Sequence, residues 1–292
     1  MKTLVYGSLN IDLVYQVDHV IRPGETGSSI RMARHAGGKG LNQAIAAAKA
    51  GAQTYFAGCI GTDGAFLKAM LEKHGINTDH LRQKEMQSGN AIIQVDRDGQ
   101  NAILLFGGSN QAVTEEEIDE ILAHFGKGDL LLMQNEISCG RALLEKARRA
   151  GLTVAVNPSP ITDDLLCWPL GLADYLLVNE IEGEALTGTA DIRQMIEMLK
   201  SRYPETNVVL TLGEHGAYSI FKDAVFFEPA RRVKVVDTTA AGDTFTGYYL
   251  QSIREGESVQ NALRCAAKAA SIAIGIPGAA ESIPSRDQVS AE

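Results

Sequence analysis

The stretch Asp237-Thr-Thr-Ala-Ala-Gly-Asp-Thr-Phe-Thr-Gly247 holds the residues with the plainest chemical meaning. A β-branched run (Val233, Val235, Val236) leads into it, and an amphipathic helical pattern leads out. Small residues at a helix start aim unpaired backbone N–H groups at one point, where the helix dipole favours negative charge. A carboxylate there, Asp243, is electrostatically out of place unless it takes a proton from a nucleophile attacking the bound anion. Asp near a helix start is also an ordinary cap. On this stretch alone both readings stand.

A second candidate is Ala36-Gly-Gly-Lys-Gly-Leu-Asn42, which opens the first long helical pattern. Adjacent glycines let a ligand approach the backbone, and Lys39 and Asn42 add polar groups at the helix start. The G-x-x-x-x-G-K-[ST] spacing of a P-loop is absent. So is a G-x-G-x-x-G after the first strand, which disfavours a dinucleotide site.

These motifs need elements to hold them. Short apolar runs at Thr3–Tyr6, Thr54–Cys59, Leu130–Met133, Thr153–Val156, Tyr175–Val178 and Val208–Leu212 are expected as strands. Helical patterns fall between them, near Gly40–Ala50, Asp63–His74, Glu115–His124, Gly140–Ala150 and Ile192–Tyr203, and helices at Thr244–Arg254 and Ser258–Ile274 close the core. Thr114 before Glu115-Glu116-Glu117 predicts a capping box. The alternation predicts an α/β fold: a doubly wound, mainly parallel sheet with helices on both faces. Two segments depart from it, about 12–33 and 89–106, the second a hairpin around Asp96-Arg-Asp-Gly99. They predict a small β-sheet lid on a single domain spanning 1–292. A further hairpin is expected at Ala217–Phe221 and Val225–Phe227.

Composition narrows the partners. The chain has 292 residues, 45% hydrophobic and 22% charged, with a net charge of -9. An acidic chain without a basic run does not suit a nucleic-acid partner. No segment is long and apolar enough to suggest a membrane span, so no membrane partner and a cytoplasmic location are expected. Cys59, Cys139, Cys167 and Cys265 form no C-x-x-C pair and are expected as reduced core thiols. The six histidines show no transition-metal spacing.

Taken together, Gly37-Gly-Lys-Gly-Leu-Asn42 and Asp237–Gly247 resemble the two signatures of the ribokinase-like sugar kinases, the phosphofructokinase-B group, in order and spacing. Asn10-Ile-Asp12, Asn157-Pro-Ser-Pro160, Asn179-Glu-Ile-Glu182, Thr211-Leu-Gly-Glu-His-Gly216 and Gly278-Ala-Ala-Glu-Ser282 are similar to further family elements. The resemblance covers essentially the whole chain. It implies an ATP-dependent kinase in which a sugar hydroxyl attacks the γ-phosphate.

By that resemblance Asp243 matches the catalytic base, and the N–H groups of Ala240, Ala241, Gly242 and Asp243 match the anion hole. Asn10, Asp12, Gly38, Lys39, Asn42 and Glu136 match positions that hold the sugar, together with Asp243. Carboxylates and amides suit vicinal hydroxyls, which both donate and accept. Asn179, Glu182, Thr211, Gly213 and Gly216 match the nucleotide side, with Glu182 acting on Mg²⁺ through water. Asp237, Thr239, Ala273, Ile276, Gly278 and Ser282 match loops that hold an activating monovalent cation, so K⁺ is implied. The Ala240-Ala241 pair, Asn10-x-Asp12 and Glu136 resemble the ribose-specific members most. Kinases for fructose, 2-keto-3-deoxygluconate, deoxyribose or nucleosides share the frame. A nucleoside would need an aromatic slot, and the chain is only 6% aromatic, with no aromatic cluster near the motifs. A non-catalytic sugar-binding protein on this fold would not need Asp243. Met32, Ile92 and Phe106 suit either a pocket wall or a subunit contact. Lid sheets pair between subunits in the family, which implies a homodimer.

Overall fold

The computed structural model describes residues 1–291. In chain order the first elements are β1 (Thr3–Tyr6), β2 (Asn10–Gln16), β3 (Arg31–Gly37), α1 (Lys39–Lys49), β4 (Thr54–Ile60) and α2 (Ala65–Lys73). Then come β5 (Asn77–Gln83), β6 (Gly89–Val95), β7 (Asn101–Phe106), α3 (Glu115–Leu122), β8 (Leu130–Gln134), α4 (Gly140–Arg149) and β9 (Thr153–Asn157). α5 (Asp163–Leu166), β10 (Tyr175–Asn179), α6 (Glu180–Thr187), α7 (Ile192–Arg202) and β11 (Asn207–Thr211) follow. The chain ends with β12 (Ala217–Phe221), β13 (Ala224–Glu228), α8 (Ala241–Arg254), α9 (Val259–Ala273) and α10 (Arg286–Ser290).

The main sheet has nine strands in the order β13-β12-β11-β10-β9-β8-β1-β4-β5. From β11 to β5 all pairings are parallel, and β12 and β13 add an antiparallel edge. Period-two side-chain alternation divides each central strand between two cores. Leu4, Tyr6, Leu131, Met133, Val154, Val156, Leu176, Val178, Val208 and Leu210 face one layer, where Ile118, Leu143, Leu144 and Leu199 of α3, α4 and α7 cover them. Val5, Leu130, Leu132, Ala155, Leu177 and Val209 face the other, under Leu41, Ile45, Tyr249 and Leu263 of α1, α8 and α9. Strands buried on both faces must be continuously apolar, as these runs are. Each such fully buried aliphatic side chain contributes roughly 1.5–3 kcal/mol of transfer free energy.

A separate four-stranded sheet has the order β3-β2-β6-β7, with β2 and β6 parallel and the outer pairings antiparallel. It contains the two segments that break the strand–helix alternation. The Thr114–Glu117 capping box is formed at α3.

Three details differ from expectation. β5 (NTDHLRQ) is polar and alternates poorly, and it reads as loop until β4 supplies a neighbour on the sheet edge. The run Val233, Val235, Val236 forms no strand; its side chains are exposed and only Val236 N–H and Asp237 N–H bond outward, both to Ile274 O. Only Cys59 is a core thiol, because Cys167 is exposed and Cys139 and Cys265 are half-buried. All four are free.

Candidate active site

Helices α1 and α8 bring the two motifs together. They pack so closely that a Cβ on Gly247 would lie 2.5 Å from Ala46 Cβ and 2.6 Å from Ala47 N. Backbone at that distance cannot move aside, so this crossing requires glycine. The N-termini of both helices then open on one cleft. A cavity of about 240 Å³ there is lined by Lys39 of α1, Asn157, Asn179, Glu182, Thr211, Thr238 and the whole Ala240–Asp243 turn. A larger cavity, about 370 Å³, sits at the far end of α8 among Arg231, Tyr248, Glu255, Arg264 and Arg286, and contains no motif residue.

The turn itself is unusual. Ala240 adopts φ 60°, a left-handed conformation costly for a residue with a Cβ, and no side chain caps α8. Ala241 N–H donates to Thr238 O, and the first helical bond runs from Thr244 N–H to Ala240 O. The N–H groups of Gly242 and Asp243 are left at the helix start without a backbone acceptor among the described residues. Asp243 therefore does not cap its helix. Its buried carboxylate points to α1 instead: Oδ2 accepts from Asn42 Nδ2 at 3.2 Å and Oδ1 from Gln43 Nε2 at 2.9 Å. Each oxygen keeps a lone pair for another donor. Asn42 Oδ1 is buried with no partner among the described residues.

The remaining sugar-side candidates gather at the ends of β1, β2 and β8. Glu136 Oε2 accepts the Lys39 N–H at 3.3 Å and the Ser8 hydroxyl. Ser8 Oγ in turn accepts Gly40 N–H at 3.3 Å, so the start of α1 is held by these side chains. Asp12 lies across Gly37, whose imaginary Cβ would sit 1.9 Å from Asp12 Oδ2. Gly38, at φ 98°, makes the turn into α1. Asn10 Oδ1 accepts from Asn110 Nδ2 at 2.8 Å. Burial pushes the Asp12 carboxyl up to about 7, and the negative charge of Glu136 adds to the rise. Burial also raises Glu136, against the opposing hydrogen bond from Ser8 and the charge and N–H of Lys39. Two carboxyls held near each other above their ordinary range mark a site that gains from donors such as hydroxyls.

On the other side of the cavity, Asn179 caps α6 by accepting Ile181 N–H and Glu182 N–H, and Glu182 Oε2 accepts Asn179 N–H at 2.7 Å. Glu182 thus has a local structural role, and it also lines the cavity. Thr211 Oγ1 donates to Val178 O at 3.3 Å. Gly213 and Gly216 form the turn after β11 and do not line the cavity.

Two loops meet beside the Ala240 turn. Asp237 Oδ1 accepts from Thr239 N–H and Oγ1, and Oδ2 accepts Gly278 N–H at 2.9 Å. Burial raises the Asp237 carboxyl, but these hydrogen bonds outweigh it and hold the group below its usual range. The carbonyls of Asp237, Thr239, Ile276 and Gly278 accept no backbone N–H among the described residues. Such hard oxygens suit an alkali cation. Ala273 is fully buried with its carbonyl taken by Ile276 N–H, and Ser282 Oγ donates to Ala279 O at 2.8 Å, so these two are less available.

Sequence reasoning passed over Gln43, Gln134, Ser8 and Asn110. Gln43 directly follows Asn42, and Gln134 lies two residues before Glu136. Nothing in an amide's identity says that it faces a carboxylate.

Comparison with known proteins is consistent along the chain. The family model described as pfkB family carbohydrate kinase matches residues 2–286. The chain is 36% identical to a ribokinase of Haemophilus influenzae, over 98% of this chain and 97% of that one. The structure of Arabidopsis thaliana ribokinase complexed with ribose and ATP superposes with a TM-score of 0.86 at 32% identity, covering 99% of this chain and 97% of that one. That of Cryptococcus neoformans ribokinase in complex with ADP gives 0.85 at 35% identity, covering 99% and 98%.

Proposed function

Because the chain belongs to the pfkB family of carbohydrate kinases, we propose that it transfers the γ-phosphoryl group of ATP to a hydroxyl of ribose. One observation carries the reading: the Asp243 carboxylate and the start of α8, whose Gly242 and Asp243 N–H groups lack backbone acceptors among the described residues, line one cleft with Lys39, and the Lys39 N–H donates to Glu136 of the neighbouring Asp12–Glu136 pair. Full-length similarity to ribokinases favours ribose among the sugars.

In this reading Asn10, Asp12, Gly38, Lys39, Asn42 and Glu136 hold the sugar, and the partnerless Asn42 Oδ1 gains a hydroxyl donor. Asp243 accepts the proton of the attacking hydroxyl. The sugar O–P bond forms as the bond between the γ-phosphorus and the ADP oxygen breaks, and ADP leaves. A positioned base contributes ~10²–10⁴-fold. The N–H groups of Gly242 and Asp243, with Ala240 and Ala241 completing the turn, stabilise charge on the transferring phosphoryl oxygens. Asn179, Glu182 and Thr211 line the nucleotide side, with Gly213 and Gly216 shaping the turn above it. Mg²⁺ neutralises phosphate charge when bound with ATP. Glu182 lines the cavity on that side and would reach the ion through water, which suits an ion held mainly by phosphates and water. K⁺ fits the paired loops through the carbonyls of Asp237, Thr239, Ile276 and Gly278, with Ala273 and Ser282 at the margin.

The four-stranded sheet, segments 12–33 and 89–106, serves as a lid on a single kinase domain. One face of it also exposes Met32, Ile92, Leu104 and Phe106, with Leu104 68% accessible. An apolar patch of this kind suits a second copy of the chain, giving a homodimer. ATP as donor favours a cytoplasmic setting, and no helix among the described residues is long and apolar enough to cross a membrane.

The test is an ADP-release assay with Mg·ATP and K⁺ across ribose, deoxyribose, fructose, 2-keto-3-deoxygluconate and nucleosides. Ribose is expected to give the highest kcat/KM. A clear preference for another acceptor would overturn ribose while keeping the kinase chemistry.

A further inference from the structure

We propose that Gln43 is a positioning residue for the base: its amide orients the Asp243 carboxylate, Asn157 fixes which way round that amide lies, and Gln134 supplies the donor to its oxygen. The proposal rests on the reading of Asp243 as the base. Gln43 is fully buried, so it acts through its neighbours and not on substrate. Its Nε2 donates to Asp243 Oδ1 and to Asn157 Oδ1, both at 2.9 Å. Its Oε1 accepts from Gln134 Nε2 at 2.6 Å. Both protons and the oxygen of one amide are used.

The direction of this chain is fixed from its end. Asn157 Nδ2 donates at 2.9 Å to the backbone carbonyl of Leu177, which can only accept. Asn157 Oδ1 must therefore face Gln43, and Gln43 must present its nitrogen to it. Reversing the Gln43 amide would set its oxygen against two other oxygens, Asp243 Oδ1 and Asn157 Oδ1, one of them charged. In a fully buried site each mismatch costs the desolvation of a polar group. The relay thus ties β8, β9 and β10 to α1 and, through α1, to the carboxylate on α8.

The carboxylate needs this. The terminal torsion of Asp is broad, so it does not set its own plane. Asn42 holds Oδ2 only at 3.2 Å. The shorter, charge-assisted bond from Gln43 fixes the plane, and with it the lone pair that meets the sugar hydroxyl.

The experiment is steady-state kinetics on the full chain with the acceptor it prefers, for Gln43→Met, Gln134→Met, Asp243→Asn and the double variants, with thermal melts and KM for both substrates. Gln43→Met is expected to lower kcat about 10–100-fold, the range for a lost hydrogen bond to a charged group. Both KM values should stay within about twofold. In the Asp243→Asn background it should cost nothing further, and Gln43→Met/Gln134→Met should equal Gln43→Met alone. Wild-type kcat in Gln43→Met, a loss carried by KM, or an undiminished loss in the Asp243→Asn background would overturn the proposal. If Gln43→Met does not fold, Gln134→Met decides: a smaller kcat loss at unchanged KM supports the relay, and wild-type turnover refutes it. Near-wild-type turnover in Asp243→Asn would instead remove the base assignment, a separate failure.

Discussion

At the scale of single residues, acid–base character and hydrogen bonding assign the roles. Asp243 is the third residue of a helix, where a carboxylate would ordinarily serve the helix start, yet its oxygens are taken by Asn42 and Gln43. Glu136 and Asp12 are the carboxyls proposed for the sugar side. Glu136→Ala is expected to weaken sugar affinity at least tenfold in calorimetry while leaving ATP affinity within about twofold, as removal of a buried charged acceptor predicts. Equal losses for both ligands would remove Glu136 from the sugar pocket. Asp12 gives a pH signature. Its folded carboxyl titrates at about 7, above its ordinary value, so the folded state favours the protonated form. Its contribution to stability is full below about pH 4 and is lost as pH rises to 7. Asp12→Asn should therefore raise the melting temperature at pH 8 and leave it unchanged at pH 4. Sugar binding has the opposite sign, since the ionised group is the better acceptor: affinity should rise from pH 6 to 8 in the wild type and stay flat in the variant.

Elements position these residues. The crossing of α1 on α8 is set by Gly247 against Ala46 and Ala47, and it is what puts Asn42 and Gln43 against Asp243. Two effects compete in Gly247→Ala. Helix propensity gains about 1 kcal/mol, and overpacking against rigid backbone costs about 1–3 kcal/mol. The contact should win, giving a lower urea midpoint and a lower kcat together. A stabilised, fully active variant would mean that the helices have slack. The central strands and long helices were legible because burial on both faces leaves continuous apolar runs and a 3.6-residue period. β5 was not, because a polar edge strand is defined by its neighbour. The β-branched run at Val233–Val236 forms no strand for the same reason: such residues without a strand beside them make no sheet.

Across the whole molecule, the proposed cation response and pairing belong to loops and surfaces. The Asp237–Thr239 and Ile276–Gly278 loops share the hydrogen bond from Gly278 N–H to Asp237, and beside the Ala240 turn the carbonyls of Asp237, Thr239, Ile276 and Gly278 accept no backbone N–H among the described residues. Turnover should rise severalfold when Na⁺ is replaced by K⁺ at constant ionic strength, and identical rates in the two salts would remove the cation assignment. The apolar lid face makes a dimer the expected state. Leu104→Glu, on a side chain that is 68% accessible, should shift the sedimenting species to monomer without lowering the melting temperature of the protomer. A wild type that sediments as monomer at micromolar concentration would refute the pairing.

The sequence alone determined the doubly wound sheet and the two small-residue motifs and, through the family resemblance those motifs carry, the nature of the reaction. Local pattern sets the first two: strand and helix periods follow from burial, and small residues before a helix make a turn able to receive an anion. Tertiary structure alone decided that Gln43 meets both Asp243 and Gln134 and that Gly247 is a packing residue against α1. The glutamine contacts join side chains 91 and 200 positions apart in the chain. An amide or a glycine carries no local mark of the partner it will find there.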